Sequence, residues 1–142
     1  MAVKQVGYEA LLYYGAAGAT AATQITNSRD IKYAVTPSVG DVTVRGAGST
    51  PPIKTGRTTG LDATLSWTML DKSDDTTLTA LRAAANSGSP VALRYIPHTG
   101  GTGLDADCII SCDNGAPLNG EQTFDIAIVA LNDDNRVPLL NS

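Results

Sequence analysis

Strict alternation of apolar and polar residues is the strongest pattern in this sequence. The apolar members of residues 61–69 occupy every second position: Leu61, Ala63, Leu65, Trp67 and Met69. Successive side chains of a β-strand point to opposite faces, so this segment is predicted to be a strand with one buried face. Phe124, Ile126 and Ile128 alternate in the same way and predict another strand over residues 123–131, whose second face is also apolar at Ala127 and Val129.

Shorter apolar segments predict the remaining strands, and one segment predicts a helix. Strands are expected at residues 8–14, within 25–35, and at 41–45, 91–96 and 106–112, with a turn at Pro37 and Gly40. A helix is expected at about 73–87. Ser73 or Asp71 is its expected cap, Leu78, Leu81 and Ala85 form its apolar stripe, and Gly88 is its expected end.

These elements together predict one mainly β domain over residues 1–142. Only one segment can serve as a helical crossover, so the strands are expected to pair in antiparallel fashion. The predicted architecture is an antiparallel β-sandwich or barrel of about seven strands, with one flanking α-helix and a long projecting loop. The predicted core is Leu65, Trp67, Leu78, Leu81, Phe124 and Ile126.

Composition restricts the kinds of partner this chain can have. Charged residues make up 17% of the chain, against an average near 25%, which suggests that part of the surface is covered by other chains. The formal net charge of -4 argues against specific binding of nucleic acid, which usually requires a basic patch. No apolar run approaches the roughly 18 residues of a membrane span, and the N-terminus does not resemble a signal peptide. We therefore expect no membrane partner.

The residues that most often carry chemistry form no recognisable site. Cys108 and Cys112 are four residues apart on a predicted strand, roughly 13 Å, whereas a disulfide needs Cα atoms within about 7 Å. They are expected to be reduced core residues. His98 is the one histidine, and the glycines after it lack the Lys of a phosphate loop. Asp105 and Asp107 begin like a calcium loop, but apolar residues follow them. We predict no catalytic residue, no cofactor and no metal.

A long segment rich in glycine and proline is the most informative part of the chain. Residues 46–60 contain almost no apolar side chain, and no acidic residue occurs from Val42 to Gly60, whereas three basic residues do: Arg45, Lys54 and Arg57. Structureless segments of this length are uncommon in compact domains unless they have a function. The segment is either a solvated loop or a projecting arm that lies on an acidic surface of a neighbouring subunit. In the second interpretation Arg45, Lys54 and Arg57 are subunit-interface residues.

The order of motifs between Arg29 and Leu131 is distinctive. It consists of RDIKYAV, then GDVTVRGAGS and the long loop, then GLDATLSWTMLDKSDDTTLTALRAAANSGSPVALRY, and finally LNGEQTFDIAI. This order resembles that of the phage tail tube family, which includes the major tail proteins of long non-contractile tails.

The resemblance implies a structural virion protein and not an enzyme. It implies hexameric rings around a hollow lumen, stacked into a tube, with the long loop bridging subunits. The implied partners are further copies of the chain, other tail proteins, and genomic DNA that passes through the lumen without specific binding. The implied location is the virion tail, after assembly in the host bacterial cytoplasm. Six copies at -4 carry a formal charge of -24 per ring, and a like-charged wall lets DNA slide.

Two alternatives remain open at this point. The first is a related tail component, such as a tail terminator or a tube protein of a secretion system or pyocin-type particle. A terminator differs in that it stops at one ring. The second, from another class, is a monomeric enzyme or ligand-binding β-sandwich, which would bind a soluble ligand without assembling.

Overall fold

The computed structural model describes residues 6–43 and 51–141 of the chain. Their elements, in chain order, are a 3-10 turn at Gly7–Glu9, β1 (Leu11–Ala16), β2 (Thr23–Gln24), β3 (Arg29–Asp41), β4 (Gly56–Leu70), α1 (Thr76–Ser87), β5 (Val91–Ile96), β6 (Asp105–Gly115) and β7 (Thr123–Asn132). The seven strands found in this part of the chain form one sheet in the order β2-β1-β5-β6-β7-β4-β3. Every pairing is antiparallel. The predicted mainly β fold is confirmed.

The sheet is strongly curled into a half-barrel. Tyr33 lies on β3 and Tyr95 on β5, four strands apart in the sheet order. In a flat sheet that separation is roughly 19 Å, at about 4.8 Å per strand. The centroids of the two rings are nevertheless 5.5 Å apart. The sheet therefore bends around its own apolar face without closing into a complete barrel.

The core fills the concave side of this half-barrel and is covered by α1. Strands β1, β5, β6, β7 and β4 each contribute buried apolar side chains, and α1 adds Leu78 and Leu81. The six predicted core residues are all buried, and Trp67 is only 2% exposed. Burial of such large side chains is the main favourable contribution to folding.

The helix is shorter at its start than the sequence indicated. It begins at Thr76, and its N-cap is Asp75, whose carboxylate accepts hydrogen bonds from the backbone N–H groups of Thr77 and Leu78 at 3.1 and 3.2 Å. The predicted caps Ser73 and Asp71 lie in the preceding turn because Asp75 satisfies the first free N–H groups instead. The predicted end at Gly88 is confirmed, and its φ of 73° is the left-handed conformation that glycine adopts without strain.

Strand β3 contradicts the predicted turn at Pro37 and Gly40. It runs without interruption from Arg29 to Asp41, and Pro37 pairs opposite Leu61. Proline has no N–H to donate, which a central strand tolerates poorly because it pairs on both sides. Strand β3 is the last strand of the sheet and has a partner on one side only, so proline is acceptable there. Of the separate strand predicted at 41–45, only Asp41 is strand, as the last residue of β3; residues 42 and 43 are outside it, and residues 44 and 45 lie outside the described ranges.

One strand boundary and two faces also differ from the expectations. Strand β1 begins at Leu11, because Tyr8 belongs to the 3-10 turn and is exposed. Leu61 is 60% exposed, so the buried face of β4 begins only at Ala63. Val129, on the second face of β7, is likewise exposed within the single subunit.

Candidate assembly surface

The outer halves of β3 and β4 form a two-stranded ribbon that extends beyond the rest of the sheet. We call residues 36–43 and 51–62 the arm. Its register pairs Thr36 with Asp62 and Asp41 with Gly56, and a bulge between Ser38 and Val39 accommodates one extra residue of β4. The ribbon is roughly 20 Å long from the level of Val35, at about 3.3 Å per residue. The predicted projecting segment is therefore a β-hairpin extension, and its residues 56–60 are strand, not loop.

The arm has no core of its own. Nearly all its residues are exposed on both faces, and β4 pairs with β7 only over Ser66–Leu70. Beyond that pairing, the second backbone edge of β4 has no strand beside it within the described residues. An isolated two-stranded hairpin is marginally stable in water, and free strand edges readily pair with other chains.

Local contacts nevertheless define the shape of the arm. The backbone N–H of Val42 donates to the carbonyl of Thr55 at 3.1 Å, which extends the pairing past the end of the strands. The hydroxyl of Thr43 accepts from the N–H of Thr55 at 2.9 Å. Gly56 lies so close to Val39 that a Cβ atom there would collide with the valine side chain. The arm is thus a preformed ribbon, and a preformed segment loses less entropy on binding than an unstructured one.

The structure places two of the three predicted interface residues on the arm. Lys54 lies before β4 near the tip, and Arg57 lies on β4 opposite Gly40; both are exposed. Neither forms an ion pair within the described part of the chain. Arg45 lies outside the described residues. Two basic side chains on an acidic protein therefore remain available to a partner.

Apolar residues of the arm are exposed as well. Val39, Val42 and Leu61 are exposed, and Ile53 is 79% exposed. Of these four residues only Ile53 lies within the segment 46–60 that the sequence singled out; the other three fall on either side of it. Exposed apolar side chains next to basic ones are typical of a protein–protein contact surface.

A buried ionic cluster was not predicted from the sequence. Asp105 and Asp107 on β6 are almost completely buried. Arg136, in the segment after β7, donates from Nε to Asp107 at 2.8 Å and from Nη1 to Asp105 at 2.7 Å. Burial alone lowers the pKa of Arg136, but the bonds to Asp107 and Asp105 outweigh burial and raise it. The alternation Asp-Ala-Asp at the start of an apolar strand was the available signal, but it was compared only with a calcium loop, which it does not fit.

This cluster fastens the β1–β2 loop and the segment after β7 to the sheet. The N–H of Gly18 donates to Asp107 at 2.9 Å and the hydroxyl of Thr20 to Asp105 at 3.1 Å, which anchors the β1–β2 loop. After Arg136, the backbone of Leu139 exchanges two hydrogen bonds with Asp105, at 2.8 and 2.9 Å. Tyr33 then donates to the carbonyl of Leu140 at 3.0 Å, across the concave side. The cluster is therefore structural.

The remaining candidate groups are not arranged as a catalytic site. His98 lies in the β5–β6 loop, and its Nδ1 contacts the carbonyl of the adjacent Thr99 at 3.1 Å. Burial and the neighbouring Asp107 raise the pKa of the Cys108 thiol to about 12, and burial also raises the pKa of Cys112. Both cysteines are free. Neither thiol is thus activated as a nucleophile.

A depression beside the start of β1 is an open seam and not an enclosed pocket. It measures about 720 Å³ and separates the first residues of β1 and β3, with Tyr8, Ile25 and Tyr95 in its lining. Among the described residues, no group of three or more His, Cys, Asp or Glu side chains is placed to hold a metal ion. In the same part of the chain, no helix is long and apolar enough to cross a membrane.

The fold has counterparts among solved structures. A chain from the tail of an empty gene transfer agent (GTA) particle, computed with helical refinement and C6 symmetry, aligns with a TM-score of 0.74 and 20% identity; the alignment covers 98% of this chain and 100% of that chain. A chain from the virion of a native GTA particle aligns with a TM-score of 0.60 and 17% identity, over 91% of this chain and 99% of that chain. No protein-family model and no curated protein matches the sequence.

These alignments cover 98% and 91% of the chain. At such identities they show a shared fold. The order of motifs indicated a resemblance to the phage tail tube family, and the fold is shared with chains of a GTA tail and a GTA virion.

Proposed function

We propose that this chain is a structural subunit of a phage-like tail. In this proposal six copies form a closed ring, rings stack into a tube, and the arm of each subunit lies on a neighbouring copy. Support comes from the fold, which is shared with a chain of a GTA tail that has C6 symmetry. The chain is proposed to act without catalysis, in the tail of a virion assembled in a bacterial cytoplasm.

The arm is the observation that carries this proposal. It exposes apolar and basic side chains on both faces of a two-stranded ribbon, and its backbone edges are available for pairing. A ribbon of this kind gains its main stabilisation from a second surface. Because such a surface is needed by every copy, association of identical chains satisfies the requirement most directly.

The overall charge fits passage of DNA through a ring. Each chain has a formal charge of -4, so six copies at -4 carry -24. Nucleic acid binds where lysine and arginine neutralise phosphates, and a wall of the same sign as DNA does not retain it. We propose that DNA passes through the lumen without specific contacts, and that other tail proteins bind the ends of the tube.

Negative-stain microscopy of the purified chain tests the assembly directly. The expected result is a population of rings and tubes at micromolar concentration. Single rings that never stack would favour the terminator alternative. A chain that stays monomeric at high concentration and is absent from virions would contradict the proposal.

A further inference from the structure

The end of β4 opposite the arm carries two exposed segments: residues 71–75, which form a loop, and residues 113–122, which comprise the last three residues of β6 and the loop after them. Thr123 pairs with Leu70 on one side and with Gly115 on the other, so the two segments lie side by side. The N–H of Asp71 donates to the carbonyl of Gln122 at 3.0 Å and joins them. We call this surface the loop end. Gly56 on the arm and Leu70 beside the loop end are separated by the length of β4, roughly 45 Å at about 3.3 Å per residue.

The loop end is acidic, whereas residues 51–60 of the arm contain Lys54 and Arg57 and no acid; the two acids of the arm, Asp41 and Asp62, lie outside that stretch. The two segments of the loop end contain one basic residue, Lys72, and five acidic residues: Asp71, Asp74, Asp75, Asp113 and Glu121. Asp75 is occupied as the helix cap, and the other four are exposed. Asp71, Lys72 and Glu121 line a shallow notch between the loops. Two further basic residues lie near this end: Arg82, which stacks on the ring of Phe124, and Arg29, opposite Thr68.

Two features of this surface are unfavourable in the single subunit: a pair of like charges and an exposed apolar side chain. Asp113 and Asp125 are directly opposite each other on β6 and β7, and like charges in that position destabilise a sheet. Leu118, at the tip of the β6–β7 loop, is 97% exposed. A partner that brings basic groups and apolar side chains would relieve both. The arm, with Lys54, Arg57 and Ile53, has that combination.

We propose that the loop end receives the arm of a second copy, so that successive rings associate head to tail. This inference rests on the proposed function, because it specifies where the arm docks. Arm and loop end are different surfaces at opposite ends of one strand, and a contact between them is heterologous and extends without limit along an axis. Charge complementarity would set the direction and register of the stack more than its strength.

Charge reversal at the two ends tests the pairing. The arm variant is Lys54→Glu with Arg57→Glu, and the loop-end variant is Asp71→Lys with Glu121→Lys. The combined variant carries all four changes. Asp133→Lys is the matched control, because Asp133 is also an exposed acid but follows β7 at the other end of that strand. The measurement is the critical concentration for tube formation by sedimentation, with circular dichroism melting to verify the fold of each variant.

Each two-residue variant is expected to raise the critical concentration about tenfold or more, because exposed pairs are individually weak but recur at every subunit of a ring contact. The combined variant is expected to recover most of the loss, since opposite charges again face each other, and the control is expected to behave as wild type. The wild-type tubes should dissociate more readily as salt screens the contact.

Three results would overturn the inference while leaving the proposed function intact. The first is normal tubes from the arm variant, the second is normal tubes from the loop-end variant, and the third is failure of the combined variant to recover although both pairs of changes impair assembly. The third result would place the arm on another surface, for example within its own ring. Failure of the wild-type chain to assemble would instead contradict the proposed function.

Discussion

Replacement of Arg136 by Met is the most informative test of how the fold is held together. Arg136 neutralises two carboxylates that are almost fully buried, through contacts of 2.7 Å to Asp105 and 2.8 Å to Asp107. Methionine fills a similar volume but removes the charge and its hydrogen bonds. Breaking a buried ion pair by removing one partner typically costs about 3–5 kcal/mol, because the other charge remains buried and uncompensated.

The expected loss is a large part of the total stability of a domain of this size. The free energy of unfolding of small domains is about 5–15 kcal/mol. At this chain length, a change of about 1 kcal/mol in that free energy shifts the Tm by about 3–4 °C. We therefore expect Arg136→Met to lower the Tm by about 10–15 °C. In the same variant the Leu139 N–H should exchange with solvent faster, since Arg136 holds the segment that pairs Leu139 with Asp105.

Two further variants serve as controls, all measured by thermal and urea unfolding of the monomer. Arg94 contacts Asp105 at 3.5 Å and its side chain is more exposed, so Arg94→Met should cost about 1 kcal/mol or less. A triple variant, Asp105→Asn with Asp107→Asn and Arg136→Met, removes the uncompensated charges and should regain much of the loss. An Arg136→Met variant no less stable than Arg94→Met would refute the reasoning.

Three further predictions concern the core, the helix and the arm. Trp67→Ala should destabilise the subunit by about 3–5 kcal/mol, because Trp67 is buried in the centre of the core; a loss under about 1 kcal/mol in urea unfolding would contradict that placement. Asp75→Ala should lower the free energy of unfolding by at least about 1 kcal/mol, because it removes the helix cap and also the acceptor of the bond from Asn27 at 2.8 Å. Asp74→Ala, which removes neither contact, should be neutral. Deletion of Pro51 to Arg57 should leave the monomer Tm unchanged, since these residues are all exposed, but should block stacking; an unfolded monomer or full-length tubes would each contradict this.

Local patterns predicted the parts of the fold that local physics determines. Strand β4 from Ala63 and strand β7 were identified because alternation reflects burial of one face, and Leu78, Leu81 and Gly88 identified the helix in the same way. The predicted turn at Pro37 was wrong because the tolerance of proline depends on its position at the sheet edge. The order of strands in the sheet, which creates that edge, is not encoded in any single segment.

The surfaces were harder to predict than the elements. Lys54 and Arg57 stood out because their segment lacks acids, and that charge pattern is visible in the sequence alone. The loop end could not be found in this way, because its acids come from two segments that are adjacent only through the pairing of Thr123 with Leu70 and Gly115. Asp105 and Asp107 were missed for the same reason, since their partner Arg136 follows β7, far along the chain.

A cryo-electron microscopy reconstruction of tubes formed by the purified chain tests the central claim most directly. The account predicts rings with six subunits, stacked in one direction, with each arm in contact with another copy. The absence of any ring or tube under conditions in which the subunit is folded would contradict it, and so would an assembly in which the arms point into solvent without touching a neighbour.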